Sequence, residues 1–182
     1  MNGHKMTDEQ LLRGCKEKNL SAQKQFYDRF AKKMMGVCLR YADSAAEAQD
    51  ILQDGFIKVF ERIESYKATG SLEGWIKRIM VNTALDNFRR RKQERNNIEL
   101  DVNDAYHNSY EEAQDNISAK ELLGLIQKLP AGYRTVFNLF AIEGYSHKEI
   151  SELLGIHEST SKSQYSRAKM HLQKTIQLEK IY

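Results

Sequence analysis

One segment near the C-terminus gathers basic and hydroxyl side chains on one face of a helix that its spacing predicts over 158–178. That face carries Lys162, Ser163, Ser166 and Arg167, with Thr160 nearby and Lys169 and Lys174 further along. Lysine and arginine can donate hydrogen bonds to guanine edges, and small hydroxyl side chains allow a close approach to the major groove. The pattern therefore favours duplex DNA as a partner, with the two distal lysines placed to meet phosphates.

A shorter helix is predicted just before it, over 146–154. Ser146 and Glu149 form a capping box, in which two free backbone N–H groups of the first turn are satisfied reciprocally. Gly155 follows, and glycine readily adopts the positive φ that a tight turn between crossed helices needs. These features indicate a helix-turn-helix rather than an ordinary helical hairpin with a polar face. The buried seam of its second helix is predicted at Ser161, Tyr165, Ala168 and Leu172.

The first half of the chain carries a weaker indication of nucleic-acid binding. Tyr66 and Lys67 lie in a polar loop, 66–71, and an aromatic ring beside a cation suits unstacked bases. The helix predicted after this loop opens with Trp75, which by itself is more typical of a core residue. It closes with four consecutive cations, 89–92. The helix macrodipole favours a cation there by ~0.3–1 kcal/mol, but four neighbouring cations repel one another and indicate a polyanionic partner.

A helix predicted over 44–64 has two contrasting faces. One stripe is apolar and predicts a buried face: Ile51, Leu52, Phe56, Val59, Phe60 and Ile63. The opposite face carries Asp50, Gln53 and Asp54. Periodicity alone leaves open whether this polar face is simply solvated or binds a partner.

The elements that position these residues are all predicted to be helices. With one proline and ten glycines in 182 residues, and no strand-like alternation, the chain lacks the turns that β-sandwiches and barrels need. Capping boxes begin at Thr7, Ser44, Ser118 and Ser146. The spacing predicts an all-α fold with helices over 7–18, 21–41, 44–64, 72–95, 118–128, 131–141, 146–154 and 158–178.

Charge divides the chain into two small helical domains. Residues 96–119 contain six acidic residues and no lysine or arginine, and they show no helical periodicity. Such a composition favours solvated coil. We predict a first domain over 7–95, an acidic linker over 96–117 and a second domain over 118–178, with both domains basic. Each domain would bury only about 60% of its unfolded surface, so we expect modest stability.

Other classes of function are disfavoured by what the sequence lacks. No apolar run approaches the ~18 residues of a membrane-spanning helix, and residues 1–10 contain no apolar signal segment. Cys15 and Cys38 form no CxxC pair, and the five histidines fit no zinc-site spacing. Phosphate-binding glycine motifs and a GxSxG nucleophile elbow are missing as well. We expect a cytoplasmic protein that is not an enzyme and uses no metal, cofactor or small-molecule substrate.

From about residue 8 to residue 175 the chain resembles bacterial RNA polymerase sigma factors of the short, extracytoplasmic-function type. The resemblance rests on three motifs taken together: DILQDGFIKVFERI at 50–63, GWIKRIMVNTALDNFRRRK at 74–92 and EGYSHKEISELLGIHESTSKSQYSRAK at 143–169. In that family sigma domain two and sigma domain four are joined by a flexible linker, where this chain has its acidic stretch. The resemblance implies a factor that directs core RNA polymerase to promoters and helps to melt them.

The resemblance also implies roles for individual residues. The polar face of the 44–64 helix would dock on the clamp of the polymerase's largest subunit, through Asp50, Gln53, Asp54 and Phe56. The 66–71 loop and the next helix would capture a flipped base of the minus-ten element, through Tyr66, Lys67, Ser71, Trp75, Arg78, Asn82, Arg89 and Arg90. The last helix would read the minus-thirty-five element, through Thr160, Lys162, Ser163, Ser166, Arg167 and Lys169. The family further implies promoter DNA and an anti-sigma factor as partners.

Two positions depart from the family pattern. His157 stands where a small hydroxyl residue usually caps the recognition helix, so we expect Ser159 to cap it instead and to shift its start. Ser161 stands where the buried seam usually has an apolar residue, and we expect its hydroxyl to bond back to a backbone carbonyl.

Two other functions fit part of the sequence. A stand-alone helix-turn-helix regulator would bind duplex DNA without polymerase, but it leaves the 66–71 loop and the polar face of the 44–64 helix without a role. An interaction protein whose basic faces bind acidic partners leaves the helix-turn-helix unexplained.

Overall fold

The computed structural model describes residues 6–95 and 119–179, and this part of the chain consists of helices and short turns, with no strand. The all-α prediction is confirmed. The chain divides into two compact units, residues 1–84 and 85–182. The predicted linker, 96–117, and the capping box at Ser118 lie outside the described residues. Within the described part, no helix has the length and apolar character needed to cross a membrane.

Four helices begin in the first unit: α1 Asp8–Lys16, α2 Leu20–Leu39, α3 Ala45–Glu61 and α4 Leu72–Arg95, with a 3₁₀ turn, Ile63–Ser65, after α3. Side-chain caps explain where they start. Thr7 and Gln10 form the complete capping box predicted for α1. At α3, the hydroxyl of Ser44 accepts a hydrogen bond from the N–H of Glu47 at 3.1 Å. The predicted positions of these helices therefore hold to within a few residues.

The core of the first unit includes a row of aromatic rings between α2 and α3. The ring centroid of Phe26 lies 4.9 Å from that of Phe30 and 5.7 Å from that of Phe60. Ile51 and Val59 of α3 are fully buried. Burying one such side chain is worth about 1.5–3 kcal/mol. The apolar stripe predicted on α3 is thus what fixes the orientation of this helix.

The second unit contains α5 Ala119–Gln127, α6 Ala131–Phe137, α7 His147–Leu154 and α8 Glu158–Glu179, and α6 runs on into a π-helical turn, Asn138–Ile142. Its core cluster consists of Leu125, Leu129, Tyr133, Ala168 and Leu172, with Phe137 and Ile176 packed against it. Arg134 is only 2% exposed, and its Nη1 donates to the carbonyl of Gln127 at 3.1 Å. This bond satisfies a carbonyl in the last turn of α5, which has no partner within its own helix.

The helix-turn-helix predicted from the sequence is formed by α7 and α8. Ser146 and Glu149 make a complete capping box at the start of α7. Gly155 ends α7 in the left-handed conformation, with φ 61° and ψ 43°, which an L side chain rarely adopts. Both local signals that predicted this motif are present.

The recognition helix begins two residues earlier than a cap at Ser159 would allow. It starts at Glu158, and the N–H of Ser161 donates to the carbonyl of His157 at 3.1 Å. His157 therefore holds the capping position, and the expectation that Ser159 shifts the helix start is wrong.

The close approach of α1 and α2 depends on Gly14, because a Cβ built there would overlap the Cβ of Ala22, an atom fixed to the α2 backbone. We expect Gly14→Ala to push the helices apart and lower the free energy of unfolding by about 1–2 kcal/mol, despite the better helix propensity of alanine. Gly36→Ala is the matched control: Gly36 lies inside α2 with open space around it, so alanine should stabilise by about 0.5–1 kcal/mol. Urea unfolding measures both changes, and equal effects would contradict tight packing at Gly14.

Candidate nucleic-acid interface

The polar face of α3 is exposed, as its periodicity predicted. One of the four proposed contact residues does not belong to this face. Asp50, Gln53 and Asp54 are all exposed. Phe56 is only 3% exposed, and its ring centroid lies 4.7 Å from that of Tyr27 and 6.1 Å from that of Phe60. The structure therefore assigns Phe56 to the core, and its prediction as a direct contact residue is corrected. Its place within the motif does not put it on the exposed face of the helix.

Ile57 is the apolar residue that this face actually presents. It is 50% exposed and lies one helical turn after Gln53 and Asp54. The sequence analysis missed it, although its signal was readable: it is an apolar residue that falls outside the buried stripe, between acidic positions. We call Asp50, Gln53, Asp54 and Ile57 the α3 face.

A cavity of about 380 Å³ opens between the loop after α3 and the start of α4. Five of the eight predicted minus-ten residues line it, namely Tyr66, Lys67, Ser71, Trp75 and Arg78, together with Ser65, Thr69, Gly70 and Gly74. The ring centroids of Tyr66 and Trp75 lie 5.4 Å apart with an interplanar angle of 51°. The resemblance implied a shared role for these residues, and the fold brings them around one space with two aromatic faces and two cations.

Local hydrogen bonds shape the wall of this cavity. The phenol of Tyr66 donates to the carbonyl of Gly70 at 2.6 Å, which closes the loop on itself. Ser71 caps α4, because its hydroxyl accepts from the N–H of Gly74 and its carbonyl accepts from the N–H of Trp75, each at 3.0 Å. Ala68 holds a left-handed φ of 54°, which costs a non-glycine residue about 1–2 kcal/mol. The loop is therefore held in a defined shape.

The other three predicted minus-ten residues lie further along α4 and do not line the cavity. Asn82 and Arg90 are exposed. Arg89 is also exposed, but its guanidinium is engaged: Nη1 donates to the Asp86 carboxylate at 2.9 Å, and Nε and Nη2 donate to the carbonyl of Leu153 at 3.1 and 2.7 Å. Asn82 and Arg89 follow Trp75 at intervals of seven residues, so they continue the same side of the helix. Beyond the cavity this side of α4 therefore presents Asn82 to solvent, while the guanidinium of Arg89 is bonded to Asp86 and Leu153.

The predicted contact residues of α8 lie on its solvent-facing side. Lys162, Ser163 and Arg167 are exposed, whereas Thr160, Ser166 and Lys169 are half-buried. Several are held by neighbours. These contacts join Lys162 Nζ to Glu158 at 2.7 Å, the Ser163 hydroxyl to the Thr160 carbonyl at 3.0 Å, Arg167 Nη1 to the Tyr133 hydroxyl at 3.3 Å and Lys169 Nζ to the Tyr165 ring centroid at 5.6 Å. The helix presents cations whose positions are partly fixed before DNA is met.

Ser161 is fully buried between the two helices of the motif, at 0% exposure. Its hydroxyl lies 3.0 Å from Nδ1 of His147, the first residue of α7, instead of bonding back to a carbonyl as expected from the sequence. Burial lowers the pKa of His147, and the nearby charge of Lys162 lowers it further while Glu158 opposes this effect. The lowered pKa favours the neutral imidazole, which takes part in a side-chain hydrogen bond across the turn.

Residues 26–94 match the family model described as Sigma-70 region 2, and residues 119–172 match the one described as Sigma-70, region 4. The chain belongs to the sigma-70 family. It is 25% identical over 181 residues to the RNA polymerase sigma-H factor of Pseudomonas aeruginosa, covering 93% of this chain and 94% of the relative. It is 28% identical over 179 residues to the extracytoplasmic-function sigma factor SigW of Bacillus subtilis, covering 91% and 94%.

The fold has a solved counterpart as well. The chain is similar to the sigma factor RpoE of Bartonella quintana, whose structure was solved in complex with the anti-sigma factor NepR. The two share 21% sequence identity and a TM-score of 0.50, over 85% of this chain and 96% of that one. At that level the likeness shows a common fold.

As a sigma factor of the extracytoplasmic-function group, the chain is a DNA-binding initiation factor that directs core RNA polymerase to promoters. The region 2 match contains the α3 face and the whole cavity, and the region 4 match contains the helix-turn-helix. The features found by geometry thus fall within the two matched regions.

Proposed function

We propose that this sigma factor divides promoter recognition among three surfaces: the α3 face binds core polymerase, the cavity captures an unstacked minus-ten base, and α8 reads the minus-thirty-five duplex. The cavity is the single observation that carries the proposal, because a stand-alone duplex-binding regulator has no use for it. The factor has no catalysis of its own and works in the cytoplasm, where core polymerase is found.

The cavity has the size and chemistry that an extruded base requires. Its volume of about 380 Å³ falls in the range of about 300–1,000 Å³ that is typical of small-ligand pockets. Tyr66 and Trp75 offer π-faces, and stacking on such a face is worth about 1–3 kcal/mol per base. Lys67 and Arg78 can neutralise the adjoining phosphates. Because unstacking a base costs a few kcal/mol, this stacking offsets a large part of the cost of extruding that one base.

The α3 face suits a basic protein surface on the polymerase clamp. Asp50 and Asp54 are exposed and supply negative charge, and Ile57 supplies apolar area at the C-terminal end of the face. Charge complementarity of this kind speeds association and fixes the docking register, while burial of the apolar side chain contributes to affinity.

An anti-sigma factor is the further partner that we propose. RpoE, to which this chain is similar in fold, was solved with its anti-sigma factor NepR. A protein that covered the α3 face would keep this sigma factor from core polymerase until the anti-sigma factor was released.

The Trp75→Ala variant tests the cavity. The promoter used is one identified by transcribing a pool of genomic fragments. We expect opening of the minus-ten element to fall about tenfold, since one stacking face is lost. The fluorescence of 2-aminopurine at that element measures opening. Affinity for core polymerase serves as the internal control and should be unchanged. Normal opening by the variant would contradict base capture in the cavity.

The α3 face is tested by Asp54→Arg, which places a cation on an exposed surface and should leave the fold intact. We expect affinity for core polymerase to fall at least about tenfold, because like charges at an interface repel. Glu9→Arg, an equal charge reversal at an exposed position of α1, is the control. Co-elution with core polymerase on a sizing column measures binding. If Asp54→Arg binds like Glu9→Arg, the α3 face is only a solvated surface.

The recognition helix is tested by Lys162→Ala and Arg167→Ala. If each side chain makes a bidentate base contact, its loss should cost about 1–3 kcal/mol and relax the preference for one base pair of the minus-thirty-five element. Lys174→Ala, further along α8, should instead weaken binding to all sequences alike and reduce the salt dependence. Transcription from promoters with single base-pair changes separates these outcomes. Unchanged promoter choice in both variants would refute the assignment.

A further inference from the structure

A polar contact joins the two helices of the helix-turn-helix at the first turn of the recognition helix. Ser161 lies in the first turn of α8, and its hydroxyl and Nδ1 of His147 are 3.0 Å apart. The serine is fully buried and His147 is half-buried, so water has no access to the serine hydroxyl and only partial access to the imidazole. We call this pair the His147–Ser161 joint.

Aromatic packing fixes the plane of the imidazole in the joint. The ring of His147 stacks on Phe140 with centroids 4.2 Å apart and an interplanar angle of 12°. Tyr165 closes the cluster, with its ring centroid 4.5 Å from Phe140 and 5.9 Å from His147. The imidazole can therefore aim Nδ1 at Ser161 only while this stack is kept. Because hydrogen bonds weaken steeply away from linear geometry, the joint resists rotation and sliding of α8 against α7.

The residues on either side of Ser161 are the ones that we assign to DNA. Thr160 precedes it and Lys162 follows it, so a change in the position of Ser161 moves both. An apolar contact at this position would bury similar area but would not be directional, and side chains in such a contact can slide at little cost.

We propose that the His147–Ser161 joint is a positioning element for minus-thirty-five recognition: it sets the angle at which α8 is presented to duplex DNA, so that Lys162 and its neighbours meet the correct base edges. This inference rests on the proposed reading of the minus-thirty-five element by α8. His147 and Ser161 act through the helix and do not themselves touch DNA. Their loss should therefore change discrimination between sequences more than it changes binding to DNA in general.

The test uses core polymerase reconstituted with the full chain and a promoter recovered from a genomic pool. Ser161→Ala removes the hydroxyl, and His147→Phe keeps the aromatic stack but removes Nδ1. Ser151→Ala is the matched control, since its hydroxyl donates to the Lys148 carbonyl within α7, away from the joint. Affinity is measured for the intact minus-thirty-five duplex and for duplexes with single base-pair changes. The ratio of the affinity for the intact duplex to that for each altered duplex gives the discrimination. Thermal unfolding monitors the fold of each variant.

We expect both joint variants to lose about tenfold in discrimination, which is the value of roughly one good base contact. The double variant should lose no more than either single variant, because both remove the same interaction. Ser151→Ala should discriminate like the unaltered chain.

Unchanged discrimination in the joint variants would overturn the inference. A uniform loss of binding to every duplex, in step with lost thermal stability, would overturn it as well, since that is the signature of a purely structural contact. If the unaltered chain itself fails to discriminate between minus-thirty-five sequences, then the reading by α8 is wrong and the positioning role falls with it.

Discussion

The packing of α3 against α2 decides which residues of the first unit can meet a partner. Rings of Phe26, Phe56 and Phe60 lie in tilted contact between these helices, and this apolar contact fixes how α3 is rotated about its own axis. Once that rotation is set, the helical period of 3.6 residues leaves the α3 face pointing outward. The same constraint holds the end of α3, from which the loop around the cavity departs. The orientation of the α3 face therefore depends on this aromatic packing.

The surfaces that we propose to be functional lie on the solvent-facing sides of packed helices and in the turns between them. The cavity is formed by a loop that is closed by its own hydrogen bond and by the capped first turn of α4, so its shape does not depend on a bound ligand. The helix-turn-helix uses the same principle, with a capping box, a left-handed glycine and a buried serine that fix one helix against another. Preorganisation of this kind lowers the entropic cost of binding.

Much of the fold was predictable because its signals are local. Capping residues marked the starts of α1 and α7, and the apolar stripe of α3 correctly predicted its buried side. Phe56 was predicted as a contact residue because it lies within the family motif. A motif alone does not show which side of the helix a residue faces. The hydrogen bond between Ser161 and His147, the left-handed Ala68 and the π-helical turn after α6 depend on packing between elements, and no local pattern specifies them. Five of the residues that line the cavity could be named from the sequence. Its volume could not be predicted, since it depends on how the loop packs against α4.

Reconstitution with bacterial core RNA polymerase is the most direct test of the account. The purified chain is mixed with core polymerase and passed over a sizing column, and the complex is then supplied with a pool of random genomic fragments. The account predicts stoichiometric co-elution and discrete new transcripts that depend on the added chain. A failure to associate with core polymerase, together with tight binding of duplex DNA by the chain alone, would contradict it.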